Sequence, residues 1–384
     1  MKKLQSGKDS ETTAIVKAAK DVLLKNRRTV AGHTFTVPSP YEYRHQWLWD
    51  SCFHAIVLRH FEPELAEAEL ISLLASQHRN GMVPHESKHT IFGIPVPYTS
   101  RITQPPFIAR AALDVYSVSK NRAFLQETFP GLQRYYAWLA EEREINGVIN
   151  VVNPLESGED NSISSDNKVP FLLRKTYGFL AGHLPLPNFT GQRSVTVTAV
   201  YADALESMAE IAEILSHQQL AAGYRAKGKE IMKAMQTFRQ PDGLYYNLAS
   251  IGEPIPYKSH GIFVPLFAGL LEKEDAENLI NEHLLNKKEF WTLLPVPTVG
   301  VNEPKFSPTN YWRGPTWMNI NWMICRGLRR YGYDSVADEV TQKSLNAVRN
   351  QGFRQYYNPL TGEGLGARSY GWSTLIVDMA KQKK

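Results

Sequence analysis

Four segments of the chain gather the residue types that sugar chemistry uses. The first is Pro154-Leu155-Glu156-Ser157-Gly158-Glu159-Asp160-Asn161-Ser162, three carboxylates among small polar residues with no apolar periodicity. Hydrolysis of a glycosidic bond needs one carboxylic acid to protonate the leaving oxygen and a second carboxylate to activate water. A glycine in such a loop lets an acid approach a substrate closely, although a solvated acidic turn would use the same residues. The second is Tyr43-Arg44-His45-Gln46-Trp47-Leu48-Trp49-Asp50, just before a helical pattern. It reads as a helix cap at Asp50 with two core tryptophans. It reads as well as a sugar-binding surface, because aromatic faces stack on the C–H faces of a pyranose while polar groups fix its hydroxyls. The third, Asn310-Tyr311-Trp312-Arg313-Gly314-Pro315-Thr316-Trp317, is a Gly-Pro turn leading into a helix, with turn packing as its plainer reading. The fourth runs from Phe353-Arg354-Gln355-Tyr356-Tyr357-Asn358-Pro359 through Gly362-Glu363-Gly364 to Tyr370-Gly371-Trp372-Ser373. A phosphate cradle is its rival, disfavoured because no strand pattern precedes it and no lysine follows at P-loop spacing.

The elements that must position these segments are helical. Apolar residues recur at spacings of three and four, predicting helices near 10–26, 50–61, 64–78, 104–118, 121–142, 194–215, 218–238, 260–270, 273–286, 316–331, 334–350 and 369–381. Leu65, Leu70, Leu73 and Leu74 share one side of the third. Val200, Ala204, Leu205, Met208, Ile211 and Leu215 do so in the sixth. Pro130-Gly131 divides 121–142 into two expected pieces. Twelve helices, many joined as short hairpins, predict an all-α (α/α)6 barrel, or toroid, with six inner and six outer helices, over one domain spanning 1–384. Strand signals are weak, and runs such as Val148–Val152 look like edge pieces of loops. The segments 79–103, 143–193 and 287–315 are too long for plain connectors, and loops of that length usually carry function or are disordered. Their prolines, aromatics and charges favour function around the site.

Composition narrows the class. The 384 residues are 43% hydrophobic and 21% charged, with 8 Trp and 18 Tyr, an ordinary globular balance with an aromatic surplus. The formal charge of +5 is spread along the chain, and without a basic stripe or known module nucleic acid is not an expected partner. Cys52 and Cys325 form neither a disulfide framework nor a metal pattern. No metal or other cofactor is called for. No signal-peptide core follows the basic start, and no 18-residue apolar run predicts a membrane span, so the expected compartment is the cytoplasm. The expected partner is a small sugar compound, with a homo-oligomer left open.

Taken in order, Tyr-x3-Trp-x-Trp-Asp, Thr-Gln-Pro-Pro, Glu-Ser-Gly-x-Asp-Asn-Ser, Tyr-Trp-Arg-Gly-Pro-x-Trp and the closing Tyr-Tyr-Asn-Pro-x-Thr-Gly with Gly-Trp-Ser resemble the mannosylglycerate and glucosylglycerate hydrolases, in the clan around glycoside hydrolase family 63, and more distantly the trehalases. The resemblance covers Tyr43 to Trp372 and implies the same toroid and an inverting mechanism. It implies Asp160 as general acid, with Tyr43, Trp47, Trp49 and Asp50 holding the glycone. Tyr311, Trp312, Trp317 and Trp372 belong with its aromatic walls, Gln104 and Tyr98 with the aglycone side. Arg193 is the matched candidate for a glycerate carboxylate, since guanidinium pairs bidentately with carboxylates. A carboxylic acid working near neutral pH needs a raised pKa, for which a closed aromatic pocket, Glu156 or Glu159 would serve.

The chain departs from that pattern at the second catalytic position. The family places its general base, a glutamate, where this chain has Gln355. An amide cannot take a proton from water at neutral pH. Three readings follow: an inactive form that holds a sugar, a weakly active or purely binding relative, or Glu363 acting as base from the neighbouring Gly-rich loop. Leu155 stands where a tryptophan is common and Ile163 where a proline is usual. A sugar epimerase on the same toroid would use histidines, yet His45, His54 and His260 read as network, core or surface residues.

Overall fold

The computed structural model describes residues 2–30, 32–91, 94–166 and 191–382, and side chains for 13–30, 32–88, 99–166 and 191–382. Twelve α-helices lie among the described residues: α1 Lys2–Asn26, α2 Leu48–Leu58, α3 Pro63–Ala75, α4 Ile108–Ser119, α5 Arg122–Glu142, α6 Val195–Ile214, α7 Gln218–Ala234, α8 Val264–Ala268, α9 Lys273–Asn278, α10 Met318–Arg330, α11 Asp334–Gln351 and α12 Ile376–Lys381. The even-numbered helices make the inner layer: α2 packs on α4, α4 on α6, α6 on α8, α8 on α10, α10 on α12, and α12 returns to α2. That ring is the (α/α)6 toroid expected from the helix count.

The two layers differ in sequence for a physical reason. Every residue of α2, Leu-Trp-Asp-Ser-Cys-Phe-His-Ala-Ile-Val-Leu, is buried, as required of a helix packed on all sides. Outer α11 buries one stripe, Ala337, Val340, Thr341, Ser344, Leu345, Ala347 and Val348, and keeps its charges outward. Asn121 caps α5 by accepting from the Ala123 and Phe124 N–H groups at 3.1 and 3.3 Å.

Three expectations are corrected. Helix α5 is continuous through Pro130. Phe129, Gly131 and Leu132 are buried there, Gly131 lies against Leu74, and its carbonyl accepts from Gln77 Nε2 at 2.9 Å, so packing overrides the helix breaker. The helix expected at 260–270 is a 3₁₀ turn, His260–Phe263, followed by the short α8. Gly269 ends it at φ +69°, in the left-handed region. Strands are more numerous than the weak signals suggested: Val148–Val151 belongs to a four-stranded sheet with Glu144–Ile145, Gln192–Arg193 and Leu248–Ala249. Two-residue strands carry too few alternations to show in a periodicity reading.

The short strands matter because they seat the loops. Gln46–Trp47 pairs with Glu86–Ser87 and runs directly into α2. Glu86–Ile91 and Ile94–Thr99 form a hairpin inside 79–103. Arg354–Tyr357 pairs with Gly364–Arg368 before the 3₁₀ turn Gly371–Leu375 that leads into α12.

Candidate active site

The four chemical segments meet because most of them lead into inner helices. Trp47 precedes α2, Trp317 precedes α10, Trp372 opens the turn into α12, and Gln104 lies before α4. The Trp49 N–H donates to Gln104 Oε1 at 3.3 Å. Trp49 lies edge-on to Trp372 with ring centroids 5.5 Å apart and is tilted against Trp312 at 5.9 Å. Trp312 stacks on Trp317 at 3.9 Å, and Trp317 also stacks with Tyr356 at 4.7 Å. Trp317 is thus fully buried between these two rings. Half-buried Trp47 meets Tyr43 and His85 edge-on at 5.9 and 4.8 Å.

The acidic loop is built, not solvated. Glu156 is buried and accepts from Arg143 through Nη2 at 2.9 Å and Nε at 3.2 Å. It also accepts the Val152 N–H at 3.1 Å, so it anchors the loop. Gly158, at φ +76°, lies against the Trp49 ring, where a methyl group would overlap it. Buried Glu159 faces His260 Nε2 at 3.3 Å. Asn161 Oδ1 accepts the Trp312 N–H at 2.9 Å. Between these anchors sits half-buried Asp160.

The Asp160 charge is felt by several buried groups. Burial first, and then the Asp160 charge, hold the Asp50 carboxyl well above the usual carboxylate range. Asp50 Oδ1 is buried without a hydrogen-bond partner among the described residues. The hydroxyls of Tyr43, Tyr311 and Tyr370 are raised by burial and also by the Asp160 charge. Asp50 is thus a buried acid that feels the Asp160 charge.

Gln355 contacts the same tyrosines. Its Nε2 donates to Tyr43 Oη at 3.0 Å and Tyr311 Oη at 3.4 Å. Its Oε1 accepts the Ala367 N–H at 3.1 Å, and its carbonyl accepts from Trp372 Nε1 at 3.0 Å. Glu363, by contrast, sits in the hairpin turn, where its backbone bonds Asn358 and Thr361. The structure does not bring it to the pocket.

The aglycone candidates fare unevenly. Gln104 is buried against Trp49. Gln192 and Arg193 point to opposite sides of their strand: Gln192 Nε2 donates to Ser164 Oγ at 3.0 Å, whereas the Arg193 guanidinium lies near Gly252. Tyr98 pairs with Lys88 in the hairpin, and its side chain, like the stretch 167–190, lies outside the described residues. Among the histidines, His54 is a buried core residue whose pKa burial lowers to about 3, His45 bonds Glu86 at 2.6 Å, and His260 serves Glu159. Sequence reasoning missed Tyr370, Arg143, Asn161 and Arg313 as parts of the site. Three of these lie inside motifs already noted, but only the fold shows what they touch.

Residues 43–373 match the family described as the mannosylglycerate hydrolase MGH1-like glycoside hydrolase domain. The chain is 30% identical to a mannosylglycerate hydrolase of Thermus thermophilus, over 94% of this chain and 98% of that protein. It is 27% identical to a glucosylglycerate hydrolase of Mycolicibacterium hassiacum, over 90% and 93%. The crystal structure of a GH63 mannosylglycerate hydrolase from Thermus thermophilus in complex with glucose superposes with a TM-score of 0.85 at 28% identity, covering 96% of this chain and 100% of that one. With the motifs joined in one pocket on the shared toroid, the chain belongs to the mannosylglycerate hydrolase MGH1-like glycoside hydrolase family.

Proposed function

We propose that the chain binds a small α-glucosyl or α-mannosyl compound, such as glucosylglycerate or mannosylglycerate, and that its site is laid out for hydrolysis with inversion. The observation that carries this reading is that Tyr43 and Tyr311, which accept from the Gln355 amide, also feel the Asp160 charge. In that layout Asp160 protonates the glycosidic oxygen while the opposite position activates water, with the two groups roughly 6.5–9.5 Å apart in inverting enzymes. Trp49, Trp312 and Trp372 exclude water around the ring, and Asp50 accepts a sugar hydroxyl through its open oxygen. The return of α12 onto α2 supports treating the chain as one catalytic domain. The buried free thiols Cys52 and Cys325 fit the reducing cytoplasm.

Gln355 sets the rate. The Tyr43 and Tyr311 hydroxyls and the Ala367 N–H can all donate to a carboxylate at this position, so glutamate would be held in the same place. A positioned general base contributes about 10²–10⁴-fold. Gln355→Glu should therefore raise the kcat for glycosyl glycerate hydrolysis by that order, and Asp160→Asn in the same background should remove the gain. No gain from Gln355→Glu would defeat the assignment of position 355. The same amide favours a second reading, a binding protein with little turnover. Calorimetry showing sugar binding, together with absent turnover even in Gln355→Glu, would select it.

A further inference from the structure

We infer that Arg313 is a positioning residue for Asp160, an inference that rests on reading Asp160 as the general acid. Arg313 follows Trp312 in the 3₁₀ turn Tyr311–Arg313. Its Nε donates to the Asn161 carbonyl at 3.0 Å, its Nη1 to Asp166 Oδ2 at 3.2 Å, and its Nη2 to Asp166 Oδ1. One planar fork therefore ties both ends of the turn 161–166. The tie is reciprocal, because Asn161 Oδ1 accepts the Trp312 N–H and Asn161 Nδ2 donates to Asn310 Oδ1 at 3.1 Å. The backbone that carries the fork is itself fixed: the Arg313 carbonyl accepts the Ser307 N–H at 2.8 Å, and Gly314 passes so close to Ser307 that a side chain there would overlap it.

Asp160 is the residue immediately before Asn161, so its backbone inherits this register. Trp312 is the residue immediately before Arg313, so the pocket wall and the acid are locked to each other. Lys305 also reaches Asp166 at 2.8 Å. An ammonium is a point charge, however, and cannot span the carbonyl and the carboxylate as the guanidinium does. Misplacing a reacting group by about 1 Å can cost on the order of 10²-fold, and that loss should fall on proton donation alone.

The test compares two substrates that differ in their need for an acid: a glycosyl glycerate and the corresponding α-glycosyl fluoride, whose leaving group requires no protonation. Assays use the full chain as it stands and with Gln355→Glu. Arg313→Ala should lower kcat for the glycosyl glycerate by about 10²-fold while KM and fluoride hydrolysis change little. Arg313→Lys, the milder change, should fall between. Asp166→Asn should show a smaller defect of the same kind, less than additive with Arg313→Ala. Equal losses on both substrates, or none on either, would show that Arg313 does not position the acid. Asp160→Asn run alongside separates the two ideas: if it shows no difference between the substrates, the acid assignment fails and the positioning role with it.

Discussion

At the residue scale the site depends on a missing side chain as much as on those present. Gly158 combines φ +76° with direct contact on the Trp49 ring, and alanine would both strain the backbone and overpack the loop. Overpacking of this kind costs about 1–3 kcal/mol. Asp160 lies two residues on, so Gly158→Ala should lower kcat by about 10²-fold, far more than it lowers sugar affinity. Kinetics beside a binding isotherm would check this, and an equal loss in both would mean that the loop holds the sugar and not the acid. The acidic loop and the aromatic positions stood out in the sequence because chemistry restricts residue type, whereas the roles of Asp160 and Gln355 were implied only by the resemblance. Arg193 and Glu363 were not decided by residue type: an arginine and a glutamate in promising segments carry no information on which way they face. The structure adds that Gln192, the neighbour of Arg193, bonds Ser164, and that Glu363 sits in the hairpin turn.

At the element scale α2 and α3 carry two buried titratable groups of opposite sense. Glu69 on α3 accepts from Ser51 Oγ at 2.7 Å and Thr36 Oγ1 at 2.8 Å, next along the chain from Asp50. Burial raises its pKa from 4.5 to about 7. Its neutral form is favoured on folding, so its contribution is fully present below pH 4.5 and is lost as pH rises toward 7. His54 on α2, lowered by burial from 6.5 to about 3, behaves oppositely: its contribution is present above pH 6.5 and is lost as pH falls toward 3. Glu69→Gln should remove the first slope, so that stability relative to the parent chain improves by about 1–3 kcal/mol between pH 4.5 and 7. Denaturant midpoints at several pH values measure it, and an unchanged slope would refute the role of Glu69. Helix number and order were legible because the inner and outer layers repeat a 3.6-residue pattern. The 3₁₀ entries to α8 and α12 were not, because one turn has too little periodicity to distinguish it from a helix end.

At the scale of the whole molecule, chemistry and cohesion occupy different depths of the ring. Asp50 and Arg59 stand nine residues apart along α2 and its C-cap, about 14 Å along the helix. Around Arg59 the inner helices are tied by charge: Arg59 to Asp114 of α4 at 2.8 Å and to Asp378 of α12 at 2.6 Å, Arg326 of α10 to Asp114 at 2.6 Å, and Arg110 of α4 to Asp203 of α6 at 2.8 Å. Burial works against the ionised carboxyls, yet the facing arginines hold Asp114 below the usual range, and the His60 hydrogen bond first, then Arg59 and Arg326, hold Asp378 below it. Asp378 also accepts from Trp322 Nε1 at 2.7 Å, so it closes the ring where α12 meets α10 and α2. Removing one partner of a buried ion pair leaves an uncompensated charge and costs about 3–5 kcal/mol. Asp378→Asn should therefore lower the free energy of unfolding by about that amount while leaving sugar affinity, measured well below the transition, close to that of the parent chain. A loss of affinity as large as the loss of stability would show that the two depths are one cooperative unit, and that the pocket depends on how tightly the far end of the ring is drawn together.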